Sequence, residues 1–201
     1  MEGVALAAHV HEALAHCHRP VPRPTWRRAP RCIGFIQGKN SLKLKFITTG
    51  GTIDKVYFDA KSEYEVGSPQ IVEILKEAGA TFEFEVESVL RKDSLDMTEE
   101  DRQLIRRKIE ADPCPRIVVT HGTDTMIQTA KTLRGIPGKT IVLTGSMQPA
   151  RFRSTDAAFN VGVAIGAAQV LPPGVYMAMN GQVFDPEKAR KNAAESRFEC
   201  A

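Results

Sequence analysis

The sequence predicts an α/β fold: an open, doubly wound, mostly parallel sheet with helices on both faces and a β-hairpin near the C-terminus. Two observations carry that expectation. From residue 42 onward, short β-rich runs alternate with segments of helical period, the order that strand–helix–strand units impose. The central run "RIVVT" (116–120) is short and apolar, as a strand buried on both faces must be.

The elements follow in order. "LKLKFITT" (42–49) reads as a strand. "SPQIVEILKEAGA" (68–80) reads as a helix, with Pro69 near the first turn, where a missing N–H costs nothing, and Gly79 at the end. "TFEFEVESV" (81–89) alternates as a half-buried strand does. "MTEEDRQLIRRKIEADP" (97–113) is a helix that Thr98 can cap and Pro113 closes. After "RIVVT" come the helix "DTMIQTAKTLRG" (124–135) and the strand "KTIVLTG" (139–145). "STDAAFNVGVAIGAAQ" (154–169) is a helix of small residues that must pack closely, and "GVYMAMNGQVFD" (174–185) a hairpin about Asn180 and Gly181. Strands and helices in this alternation form a sheet of the Rossmann or flavodoxin-like kind.

Residues 1–41 are a different kind of sequence. An Ala/His stretch and a Pro/Arg stretch keep no period long enough to bury a face, so a basic, disordered leader is expected there, with the folded domain spanning residues 42–201. A transit peptide and sequence translated from an upstream start remain alternatives for it. Its six basic residues against Glu2 and Glu12 account for the formal net charge of +3, so the folded part carries no net pull toward phosphates, and no nucleic-acid partner is expected. His9, His11, His16, Cys17 and His18 fit no metal-ligand spacing, and neither a metal nor a cofactor is expected. Four scattered cysteines suit a reducing, cytoplasmic compartment, and no apolar run approaches the roughly 18 residues of a membrane span.

Ligands of a doubly wound sheet sit beyond the carboxyl ends of its strands. Three such ends here are "TTGGT" (48–52), "THGTDT" (120–125) and "TGSMQP" (144–149), each combining glycine with hydroxyls. Glycine lets backbone approach a ligand and leaves amides pointing outward, while Ser and Thr supply hydrogen bonds or a nucleophile. With Asp124 among them they describe a small polar pocket, although the same residue types also make ordinary turns. A phosphate cradle is disfavoured, because neither GxxxxGK[ST] nor GxGxxG is present and Asp54 follows the first turn.

"TTGGTI" (48–53), "HGTDTM" (121–126) and "TGSMQPARFRSTDAAFN" (144–160), in this order and at these separations, resemble the bacterial-type L-asparaginases. The resemblance covers about residues 42–199 and matches that family's larger, amino-terminal domain. It implies an amidohydrolase that releases ammonia from asparagine or a related amide through a threonine nucleophile. Thr52 takes the position of that nucleophile and Tyr64, in "KSEYEVG", that of the tyrosine standing against it; read alone, Tyr64 is a surface-loop aromatic. Thr123 and Lys191 match the second threonine and its lysine partner. Ser94 and Asp124 match substrate-binding residues, with Gly51 and Gly122 lining the same site. His121 reads as a structural, hydrogen-bonding residue.

The sequence departs from that pattern in three ways. Residues of a smaller carboxy-terminal domain are not present, Leu95 stands where many relatives have a substrate-contacting glutamine, and Asp54 stands where a small residue is common. It looks similar to compact, single-domain members of the group. Two readings therefore stand side by side: an amidohydrolase of small amides or amino acids, and a non-catalytic amino-acid-binding or regulatory domain that retains the pocket. A site without a covering domain is expected to be covered by a second copy, so a homo-oligomer, at least a dimer, is expected.

Overall fold

Five parallel strands build the sheet and a sixth closes one edge antiparallel. The computed structural model describes residues 42–58 and 63–201, so the expected leader lies outside the described residues. The chain runs β1 (Lys43–Gly50), β2 (Lys55–Phe58), β3 (Glu63–Val66), α1 (Ile71–Glu77), β4 (Glu83–Lys92), α2 (Glu99–Ala111), β5 (Arg116–Thr120) and α3 (Met126–Thr132). It continues through β6 (Thr140–Thr144), α4 (Ala157–Val170), β7 (Gly174–Met179), β8 (Gln182–Phe184), β9 (Ala189–Asn192) and β10 (Arg197–Cys200).

The sheet order is β4-β1-β5-β6-β7-β8. The chain leaves β1 toward β4 on one side and then crosses back to lay β5 on the other, so the order reverses between β1 and β5. Connections leaving two neighbouring strands in opposite directions open a crevice at their carboxyl ends. "TTGGT" and "THGTDT" both end there.

Strand parity sorts the core into two layers. Ile47, Ile117, Val119, Ile141, Leu143, Met177 and Met179 pack with Ile105 and Ile109 of α2 and Met126 and Ala130 of α3. Leu44, Phe46, Val118, Val142 and Ala178 face the other way, onto Ile71, Ile74 and Leu75 of α1 and Ala157, Val161, Ala164 and Ala168 of α4. Both faces of the central strands are therefore covered, which is why β5 and β6 read as continuous apolar runs.

Local signals act where the sequence places them. Thr98 caps α2: its Oγ1 accepts from Asp101 N at 3.3 Å, while the Asp101 carboxylate accepts from Thr98 N at 2.9 Å. Gly79, at φ 64°, ends the turn after α1, and Asn180 and Gly181, at φ 52° and 78°, form the tight turn between β7 and β8. No helix among the described residues is long and apolar enough to cross a membrane.

Two hairpins lie outside the main sheet and are not evident in the sequence: β2 with β3, and β9 with β10. "ARKN" and "RFEC" are four residues each, mostly charged or exposed, with only Ala189 and Phe198 buried. Such runs carry too little periodicity to announce a strand. Tyr64 belongs to β3, opposite Tyr57, and not to a loop.

Candidate active site

β1 ends on Gly50 and is followed by Gly51, at φ 94° and 89°, in the region L side chains rarely adopt. A Cβ on Gly51 would overlap the Cα and N of Gly122, so the first loop reaches the second only because Gly51 lacks a side chain. Gly51 N donates to Lys92 O at 3.0 Å, which pins the loop to β4. Thr49 Oγ1 donates to Thr120 O at 2.9 Å, joining the ends of β1 and β5. On this support stands a single 3₁₀ turn, Thr52–Asp54, with Thr52 half-buried and both Ile53 and Asp54 buried.

The second loop continues the surface. Gly122 lies against Ser94, whose Oγ would be 2.6 Å from a Cβ there. Ser94 Oγ is buried without a hydrogen-bond partner among the described residues, and Thr125 Oγ1 donates to Ser94 O at 2.7 Å. Thr123 is buried, and Lys191, arriving on β9, donates from Nζ to Thr123 Oγ1 at 2.8 Å and pairs with Asp124 Oδ1 at 2.6 Å. The backbone N–H groups of Thr52, Gly122 and Thr123 make no hydrogen bond among the described residues. They are unpaired donors on the loops that carry Thr52 and Thr123, the type of group an oxyanion site uses.

Behind the loop, His121 is fully buried. Its Nδ1 stands 2.7 Å from Gly122 O, which assigns the proton to that nitrogen, and its Nε2 accepts from Thr129 Oγ1 at 2.8 Å. Burial lowers its pKa to about 4, so it is neutral in this role. The third loop is held by Asp156, which accepts from Met147 N and Gln148 N at 3.0 and 3.1 Å, and Ala150 N donates to Ile53 O of the first turn at 3.2 Å.

Against known proteins, the family model "Asparaginase, N-terminal" matches residues 43–199. The chain belongs to the asparaginase family. An L-asparaginase of Thermococcus kodakarensis is 33% identical over 151 residues, covering 71% of this chain and 45% of that protein. The solved structure of that enzyme superposes with a TM-score of 0.69 at 31% identity, covering 79% of this chain and 51% of the other. L-asparaginase 2 of Escherichia coli is 32% identical over 167 residues, covering 74% of this chain and 46% of its own length. A shorter match, 41% over 71 residues, joins 34% of this chain to 17% of a glutamyl-tRNA(Gln) amidotransferase component from Methanococcus vannielii. The chain thus spans about half the length of the L-asparaginases it matches.

In this asparaginase-family chain the residues singled out by sequence are brought together with one exception. Gly51, Gly122, Ser94, Thr123, Asp124 and Lys191 form a continuous chain of contacts, and Thr52 follows Gly51 directly. The side chain of Tyr64 lies outside the described residues. Leu95 is 72% exposed. Sequence reasoning missed the supports: Thr49, Thr125, and the buried Asn160, whose Nδ2 donates to Gly145 O at 3.0 Å. A threonine beside a glycine turn looks the same whether it faces a ligand or a neighbouring carbonyl, so nothing in the sequence marks them.

Proposed function

We propose that this chain is an amidohydrolase that cleaves the side-chain amide of L-asparagine, or a related amide, to the acid and ammonia through Thr52. The observation that carries the proposal is the contact of Lys191 Nζ with both Thr123 and Asp124, on a loop packed glycine to glycine against the Thr52 turn. Thr52 Oγ1 attacks the amide carbonyl, and its proton is relayed to the amide nitrogen through the Tyr64 hydroxyl, or through water and the Thr123 hydroxyl beside the Lys191 ammonium, each group giving up its own proton as it accepts one. The carbonyl π electrons move to oxygen, and the free N–H groups of the glycine loops receive that negative charge; one such donor is typically worth about a hundredfold in rate. Reprotonated, the amide nitrogen leaves as ammonia. Water then hydrolyses the Thr52 ester and restores the hydroxyl. Asp124 and Ser94 hold the substrate's polar groups, the carboxylate facing its ammonium.

Exposure of Leu95 favours a second reading, a binding domain that keeps the pocket without turnover. Ammonia release from asparagine, glutamine and a panel of primary amides, measured for the parent and for Thr52→Ala, separates the two. Release that vanishes in the variant supports the threonine amidohydrolase; calorimetric binding by both proteins with no release from either supports the binding domain. The same proposal includes a homo-oligomer of at least two copies, and full activity at monomer mass in sedimentation would remove that part.

A further inference from the structure

The hairpin that delivers Lys191 stands apart from the six-stranded sheet, and a two-stranded ribbon is marginal by itself. Its apolar anchors are Ala189 and Phe198, the latter packed at 6.4 Å ring separation on Phe184. Its main chain has one further tie: among the described residues, the hydrogen bond linking it to the sheet is Phe198 N donating to Asn180 Oδ1 at 2.9 Å. Phe198 is the cross-strand partner of Lys191.

Asn180 is itself fixed from behind. It sits at φ 52°, and its N–H donates to Asn160 Oδ1 at 3.0 Å. Asn160 is fully buried and uses its Nδ2 to hold Gly145 O at 3.0 Å and Asp156 Oδ2 at 2.8 Å. Asp156 holds the amides of Met147 and Gln148. A continuous polar path therefore runs from the third strand-end loop through Asp156, Asn160 and Asn180 to the backbone opposite Lys191. Asn160 is the fully buried member of this path, Asp156 and Asn180 being half-buried, and removing an acceptor from it leaves a donor without that partner.

We propose that Asn180 is a positioning residue that sets the register of Lys191 against Thr123 and Asp124 through the Phe198 backbone. Its catalytic meaning rests on the amidohydrolase reading, but the positioning itself does not. Asn180→Gly keeps the left-handed turn and the N–H to Asn160 while deleting the acceptor; Asn180→Asp keeps an acceptor.

The test follows, in the full chain, the acetylation rate of Lys191 by peptide mass spectrometry, with Lys76 as an internal reference, beside the hydrogen exchange of the Phe198 amide. Asn180→Gly is expected to speed both Phe198 exchange and Lys191 acetylation about fivefold, the loss of one hydrogen bond, with Lys76 unchanged, and Asn180→Asp to restore both. Faster Phe198 exchange with unchanged Lys191 acetylation would overturn the proposal, as would unchanged exchange. If Asn180→Gly loses its helical dichroism, Asn180→Ser, whose hydroxyl is too short to reach, is read by the same comparison. Inactivity toward every amide would remove the catalytic reading and leave these rates to decide the positioning.

Discussion

Asp54 and His121 are buried titratable groups on either side of the loops, and they pull stability in opposite directions. Burial pushes the Asp54 carboxyl up to about 6, against the help of the Gln70 N–H and the Arg91 charge. The folded state then holds this proton more tightly than the unfolded chain, so the contribution grows as pH falls from about 6 toward the ordinary value of 3.8 and is lost above about 6. His121 is lowered from 6.5 to about 4 by burial; its contribution is present above 6.5 and lost as pH falls toward about 4. The two trends offset each other across the same window. Asp54→Asn removes one of them and keeps an acceptor for Gln70 N, so its melting temperature is expected to lie several degrees above the parent's near neutral pH and to fall more steeply on acidification. Parallel melting curves of the two proteins across that range would contradict this. Ser94 supplies a second test at the same scale. Its buried hydroxyl has no partner among the described residues, which costs about 1–3 kcal/mol, so Ser94→Ala is expected to leave stability equal or higher. If Ser94 binds substrate as proposed, the same variant raises KM about tenfold with little change in kcat.

At the scale of elements, what the sequence makes legible is what periodicity and turn chemistry control. All four helices and every strand of the main sheet follow from alternation, from Thr98 at a helix start, and from the Asn180–Gly181 turn, while Pro69 lies just ahead of the N-cap Gln70 and not in the first turn of α1. The β2–β3 and β9–β10 hairpins do not follow from these signals; the second is held by partners distant in sequence and not by its own pattern, with Phe198 in the core beside Phe184 and Lys191 ending on Thr123 and Asp124. The site shows the same division. Its loops can be read from glycine and threonine after strands, but the burial of Asp54, the orphan hydroxyl of Ser94 and the Asn160 relay depend on which loops meet. That meeting is itself testable through glycine. Gly51→Ala would drive a methyl into Gly122 at a positive φ and is expected to cost more than about 3 kcal/mol, whereas Gly79→Ala, also at positive φ but in open space, costs about 1 kcal/mol. Urea denaturation of the two variants that gave equal losses would show that the loops do not need their close approach.

Across the whole molecule, the candidate site is assembled from segments between residues 51 and 191, some in the interior of the sheet and some on a hairpin outside it. These parts are not expected to be equally firm. Amides of Val118, Val119, Val142 and Leu143, buried in adjacent central strands, should exchange with solvent only on global unfolding, while those of Arg190 and Glu199 should exchange through local opening. Uniform protection across both sets would show the hairpin to be part of the cooperative core. Asn180 gives the protein a clock as well. The residue after Asn180 is glycine, which has no side chain to slow attack of its backbone nitrogen on the Asn180 side-chain carbonyl, the route by which asparagine loses its amide. Aspartate formed there keeps an oxygen for Phe198, but the isoaspartate product adds a carbon to the main chain in the middle of the turn. Old preparations of this chain would therefore become chemically mixed at one known bond, at the joint between the sheet and the strand pair that carries Lys191, while the fold around it stays intact.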